Sequence, residues 1–129
     1  MEIKENLPTI TGCFGKLELQ ENGIIYYYKT DGLVTNYDVA VEVLHGISQL
    51  DDSGTARVIV FQGVPTSYTF DAQQILAFAT CMSKAAIVVQ NSMQVHTGNV
   101  LKGIAKSHNA VFRLEVFESV VGAEAWMVT

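Results

Sequence analysis

The chain has 129 residues, 49% hydrophobic and 16% charged, a length that supports one core and a composition that excludes intrinsic disorder. Its formal net charge is −5 and no cluster of Lys or Arg reverses it locally, so nucleic acid is not an expected partner. No apolar run approaches the ~18 residues of a membrane span, and MEIKENLPTI has no basic segment ahead of an apolar core, so the expectation is a cytoplasmic protein.

Residues 1–129 read as a single domain with a short N-terminal extension at 1–14. Lys16 to Gln20 alternates polar and apolar, Glu21-Asn22-Gly23 interrupts, and Ile24 to Lys29 follows as a β-branched and aromatic run. Asn-Gly tolerates positive φ at both positions, so this is a hairpin. Thr30-Asp31-Gly32 ends the second strand. Thr35-Asn36-Tyr37-Asp38 has the form of a capping box, with the Thr35 hydroxyl as the capping group. Behind it Val39, Val43, Ile47 and Leu50 recur at helical spacing, which predicts a helix from about 36 to 50.

Arg57 to Gln62 is a nearly unbroken apolar run, the pattern of a strand covered on both faces. Residues 65–69 form a polar crossing, after which Ala72, Ile75, Leu76 and Ala79 line one side of a second helix. Ala85 to Gln90 is another continuous apolar strand. A third helix starts at Asn91 or Ser92 and carries Val100, Leu101 and Ile104 inward, weakened by Gly98 and Gly103 at roughly 1 kcal/mol each relative to alanine. Arg113 to Phe117 is the last strand, and Ser119 caps a short final helix ending in Ala125-Trp126-Met127. The order is β-β-α-β-α-β-α-β-α. It predicts an α/β fold with a mixed, mostly parallel sheet flanked by helices.

The hairpin ENGIIYYYKTDGLVT, the strand and helix start AAIVVQNS, and the ending FRLEVFESVVGAEAW resemble the SpoIIAA-like proteins of the STAS superfamily. The resemblance covers about Gly15 to Met127 and rests on structural motifs, including Glu124-Ala125-Trp126-Met127 at the end of the last helix. It implies a SpoIIAA-like, STAS-like fold, frequent dimerisation, and little chemistry. In the phosphorylated anti-sigma-factor antagonists of that superfamily, the modified serine follows a buried strand and opens the next helix. Asp51-Asp52-Ser53-Gly54 instead precedes the strand Arg57 to Gln62, so Ser53 reads as part of a turn. By location the switch position falls on Thr66, Ser67 or Thr69, each also an ordinary capping or loop hydroxyl. No Asp-Ser-Ser-Gly stands there.

Other residue types add little chemistry. Cys13 and Cys81 are distant, without metal or redox spacing, and read as two reduced thiols. His45, His96 and His108 do not share a helix face at ligand spacing, so no metal or cofactor is expected. Gly-x-Ser-x-Gly, Gly-x-Gly-x-x-Gly and the phosphate-binding loop are absent, and no enzymatic activity is expected. Tyr26 and Tyr28 share one strand face while Tyr27 takes the other, which makes the first two either core residues with rim hydroxyls or a partner interface. Open α/β sheets bind at the carboxyl ends of their parallel strands, here residues 63–70 and 91–94, with Asn91 and Ser92 as a candidate anion site.

The functional expectation is a non-catalytic protein-binding or regulatory scaffold domain, homodimeric or bound to another protein. Its alternatives are an antagonist phosphorylated in the 66–69 loop and a carrier of a small apolar ligand or lipid.

Overall fold

The computed structural model describes residues 7–62 and 67–129. Its strands are Thr9–Gly12 (β1), Gly15–Leu19 (β2), Ile24–Lys29 (β3), Val34–Thr35 (β4), Ala56–Phe61 (β5), Ser67–Tyr68 (β6), Met82–Val88 (β7) and Arg113–Phe117 (β8). Its helices are Tyr37–Leu50 (α1), Phe70–Ala77 (α2), Ser92–Ser107 (α3) and Val120–Met127 (α4). Six strands form one mixed sheet in the order β1-β2-β3-β5-β7-β8, and β4 pairs with β6 separately.

The two continuous apolar runs are parallel neighbours, with Val58 beside Ala85 and Val60 beside Ile87. Both need cover on two faces because their alternate side chains are equally apolar. On one face Val39, Val43 and Ile47 of α1 and Ala105 of α3 pack with Leu17, Ile25, Val58 and Ala85. On the other, Ala123 and Met127 of α4 pack with Ile24, Ile59, Ala86 and Val88. The short α4 carries no basic residue in its last turn. Sheet residues supply the charge: Arg57 donates to the Met127 carbonyl at 3.3 Å, and Lys84 to the Trp126 carbonyl at 3.1 Å. Cations there are favoured by the helix dipole and by the unpaired carbonyls of the last turn.

Several expectations need correction. Thr9–Gly12, read as part of an extension, is an edge strand antiparallel to β2 because its backbone finds an unpaired neighbour. The cap of α1 is Asn36, which accepts from the Val39 amide at 2.9 Å, so Thr35 is not the capping residue. Thr35 belongs to β4 instead, and the polar crossing after β5 contains β6, whose parallel pairing joins Val34 to Ser67 and Thr35 to Tyr68. Two-residue strands leave no periodicity to read. Ala79 is buried but lies beyond the end of α2, and β7 begins at Met82 rather than Ala85. Val100 points outward at 41% exposure, while Gln94, Gly98 and Ala105 take the inner face of α3.

Gly98 and Gly46 sit where a helix closes on the sheet. A methyl group on Gly46 would lie 2.6 Å from Leu17 Cδ1, and one on Gly98 would lie 3.0 Å from Val116 Cγ2. The constraint at Gly15 is harder, since its φ is +125° and a Cβ would stand 2.0 Å from the Tyr28 carbonyl oxygen across the β2–β3 ladder. Gly32 has a positive φ of +75° with open space around it. Gly15→Ala is therefore expected to cost at least about 3 kcal/mol and Gly32→Ala about 1 kcal/mol. Urea denaturation of the two variants measures the difference, and equal costs would refute the steric account.

Candidate functional site

The alternation of β3 sends Ile25, Tyr27 and Lys29 toward the three-helix face and Ile24, Tyr26 and Tyr28 toward α4. Lys29 ends that inward series at the carboxyl end of the strand, and only 7% of its surface is exposed. Its ammonium donates to Gln62 Oε1 at 2.9 Å and to the Tyr68 hydroxyl, and sits 3.8 Å from the centre of the Tyr68 ring. No carboxylate among the described residues pairs with it. Burial without a counterion penalises the charged form and lowers the pKa of Lys29 to about 7. Burial also raises the pKa of Tyr27 and of Tyr68, keeping both phenols neutral.

The partners come from three separate segments. Gln62 follows β5, beside β3 in the sheet. Tyr68 is placed by the β4–β6 pairing, reinforced by the Ser67 amide on the Leu33 carbonyl at 3.2 Å and the Thr69 amide on the Thr35 carbonyl at 2.9 Å. That pairing also buries Thr35 to 3% exposure. The Thr35 hydroxyl and the Gln62 side-chain N–H groups are buried and have no hydrogen-bond partner among the described residues. Buried donors left unpaired cost on the order of 1–3 kcal/mol each.

Beside this cluster lies a cavity of about 90 Å³ between the sheet and α1, α2 and α3. Lys29, Thr35, Tyr68 and Gln73 are among its lining residues, although nearly all of the lining surface is apolar. Val43, Leu76, Ile87, Leu101, Ala105 and Leu114 line its apolar remainder. The Tyr27 hydroxyl is committed elsewhere, donating to the Phe14 carbonyl at 3.0 Å. The arrangement can bind a small apolar molecule carrying a hydrogen-bond acceptor.

The residues singled out in the sequence fall around this site rather than in its polar cluster. Thr66 lies outside the described residues. Ser67 is exposed on β6, and Thr69 caps α2, its hydroxyl donating to Asp71 Oδ1 at 2.5 Å. Asn91 caps α3 by accepting from the Gln94 amide at 2.9 Å, and Ser92 is the exposed first residue of that helix. Glu118 lines the same surface depression as Asn91 and Ser92, placing a carboxylate beside the helix end. Ser53 stands in an exposed turn before β5, its amide donating to Asp51 Oδ1 at 3.0 Å. Among the described residues no group of His, Cys, Asp and Glu could hold a metal ion, and no helix is long and apolar enough to cross a membrane.

Tyr26 and Tyr28 stay on the α4 side. The Tyr26 hydroxyl donates to Glu124, while Tyr28 stacks on Phe61 with ring centres 4.9 Å apart and remains 37% exposed. Lys29, Gln62, Tyr68 and Thr35 are absent from the sequence-based candidates. The one local signal was alternation along IIYYYK, which puts Lys29 on the same strand face as Ile25 and Tyr27.

Lys29 holds its proton less tightly in the folded chain than in the unfolded one. Between about pH 7 and the ordinary lysine value of 10.5 the unfolded chain therefore binds more protons, and stability rises with pH. Restricting the window to about pH 7–8.5 avoids the raised Cys81 and tyrosine pKa values, which act in the opposite sense at higher pH. Over that range the wild type is expected to gain about 2 kcal/mol in urea denaturation, and Lys29→Met to lose this slope. An unchanged slope in the variant would remove Lys29 as its cause.

Compared with family models, curated proteins and solved structures, the chain matches none.

Proposed function

We propose that the chain is a non-catalytic binding domain whose ligand is a small molecule with an apolar body and a hydrogen-bond-accepting end, held between the sheet and α1–α3. One observation carries this reading: a buried lysine with no counterion and a buried threonine hydroxyl with no hydrogen-bond partner among the described residues both line an apolar cavity. A core selected for packing alone would place apolar side chains there, because buried unpaired polar groups are destabilising. The volume of about 90 Å³ suits roughly four to six non-hydrogen atoms, and a lipid-sized occupant would require the cavity to widen.

The resemblance to SpoIIAA-like proteins supports a regulatory role for such binding. Thr35 and Tyr68 contact the cavity from β4 and β6, and the same short sheet leads into α2 through Ser67 and Thr69. An occupant would thereby bias the surface at the start of α2, where a protein partner would sense it. Titration of ¹⁵N-labelled protein with butanone and butyramide tests the reading. Dissociation constants of roughly 0.1–10 mM are expected, with shifts centred on Lys29, Thr35 and Leu101. Ala105→Leu, which fills the cavity with three additional carbons, is expected to abolish the shifts. Absence of cavity-centred shifts with either probe would overturn the reading.

A second reading concerns self-association. On the α4 side, the face of β2 and β3 presents Tyr28 stacked on Phe61, with the Lys16 ammonium 4.8 Å from the centre of the Tyr28 ring. Tyrosine is enriched at interfaces because it contributes contact area with few rotatable bonds. The occupant under this reading is a second copy of the chain. Sedimentation equilibrium is expected to show a dimer that Tyr28→Glu weakens at least about tenfold, a loss of roughly 1.4 kcal/mol. A monomer at all concentrations up to about 0.5 mM would remove it.

A further inference from the structure

Among the described residues, the donors clustered around Lys29 beside the cavity are not matched by acceptors. Lys29 has three N–H groups, of which one is engaged by Gln62 Oε1 and one by the Tyr68 hydroxyl. The Tyr68 hydroxyl donates in turn to Gln62 Oε1 at 3.4 Å. This leaves the third Lys29 proton, the two N–H groups of Gln62 and the hydroxyl of Thr35 without an acceptor among the described residues. The complementary group accepts only, has two oxygens to share among several donors, and carries the negative charge that the buried ammonium lacks. A carboxylate meets all three requirements. A phosphate or sulfate would bring further charge and oxygen that the apolar lining cannot solvate.

We propose that the cavity binds a short-chain aliphatic monocarboxylate, its carboxylate seated against Lys29 and Thr35 and its tail directed among Val43, Leu76 and Leu101. This rests on the ligand-binding reading above and adds the chemical class of the ligand. The volume of about 90 Å³ limits the ligand to roughly two to four carbons, the carboxyl carbon included. Charge pairing is what separates this ligand from its neutral isosteres. A neutral amide or alcohol would fill the same space and take one or two of the donors, leaving the ammonium without a counterion.

The seat is also a proton-linked one. The other titratable residues lining the cavity are Tyr27 and Tyr68 on the sheet side, both held neutral by burial, while the lining residues from α1, α2 and α3 have no titratable side chain. Asp31, at the turn after β3, is exposed. With its pKa lowered to about 7, Lys29 is largely neutral in the empty site at pH 8.5. A bound carboxylate favours the ammonium, so binding at that pH takes up a proton from solvent.

Butyrate, butyramide and butanol distinguish the outcomes when titrated into the full chain at pH 6.5 and 8.5 by calorimetry and NMR. Butyrate is expected to bind more tightly than either neutral isostere at pH 6.5 and to weaken roughly twenty-fold at pH 8.5, while the isosteres change little. Calorimetry at pH 8.5 in buffers of different ionisation enthalpy is expected to show close to one proton taken up per butyrate bound. Lys29→Met should lose butyrate binding but keep that of butanol. Thr35→Val should weaken butyrate several-fold with the pH dependence intact. Equal binding of all three probes at both pH values, or butyrate binding without proton uptake, would overturn the carboxylate assignment and leave the ligand-binding reading standing. Absence of binding by all three would overturn both.

Discussion

Two adjacent parallel strands, β5 and β7, are apolar on both faces, and this single constraint organises the molecule. A strand that is apolar on one face can lie at a surface, but one that is apolar on both must be covered twice. The chain meets the requirement unequally. Helices α1, α2 and α3 lie on one face, while the eight-residue α4 covers part of the other. The long helices form the more continuous layer, and their junction with the sheet is where the cavity remains. On the other face α4 is held at its carboxyl end by Arg57 and Lys84, residues of the strands it covers. A helix of two turns gains little from its own hydrogen bonds, so packing and these charge-assisted contacts hold it in place.

Lys29 is the point at which the fold departs from ordinary core chemistry. Strand alternation places it inward after Ile25 and Tyr27, and the β3–β5 pairing sets Gln62 just past Phe61, the partner of Tyr28. A lysine at a strand end commonly extends its amine to water along an aliphatic stem. Here Tyr68 and Gln62 hold the amine inside instead. The same low dielectric that lowers its pKa strengthens any interaction with an incoming anion. The cost of burying this amine and the affinity proposed for an occupant would therefore share one cause.

Much of the fold was legible from local pattern. Periodicity located the hairpin, α1 and the two buried strands, because a span of five or more residues carries its own signature. The Asn22-Gly23 turn was readable for the same local reason, with Gly23 at φ +85° and Asn22 Oδ1 accepting from the Ile24 amide at 3.0 Å. The candidate site was hardly legible. The β4–β6 pair has two residues a side, and such strands form only because two loops are brought together by longer elements. Thr35 illustrates the ambiguity: followed by Asn36, Tyr37 and Asp38 it fits a capping box, yet the next residue takes the cap. Both residue types are competent caps, and the choice between them depends on whether Thr35 is already committed to a strand.

The sequence by itself determined the two doubly covered strands, their alternation with helices, and that Tyr26 and Tyr28 share the strand face opposite Tyr27, since these follow from side-chain periodicity along a continuous segment. Only the tertiary structure decided that Lys29 would meet Gln62 and Tyr68, and that Thr35 would be buried near them with no hydrogen-bond partner for its hydroxyl among the described residues. Those groups are 33 and 39 residues from Lys29 along the chain for Gln62 and Tyr68. Contacts over such separations are fixed by sheet register and helix packing, and neither quantity is encoded in the spacing of residue types within one segment.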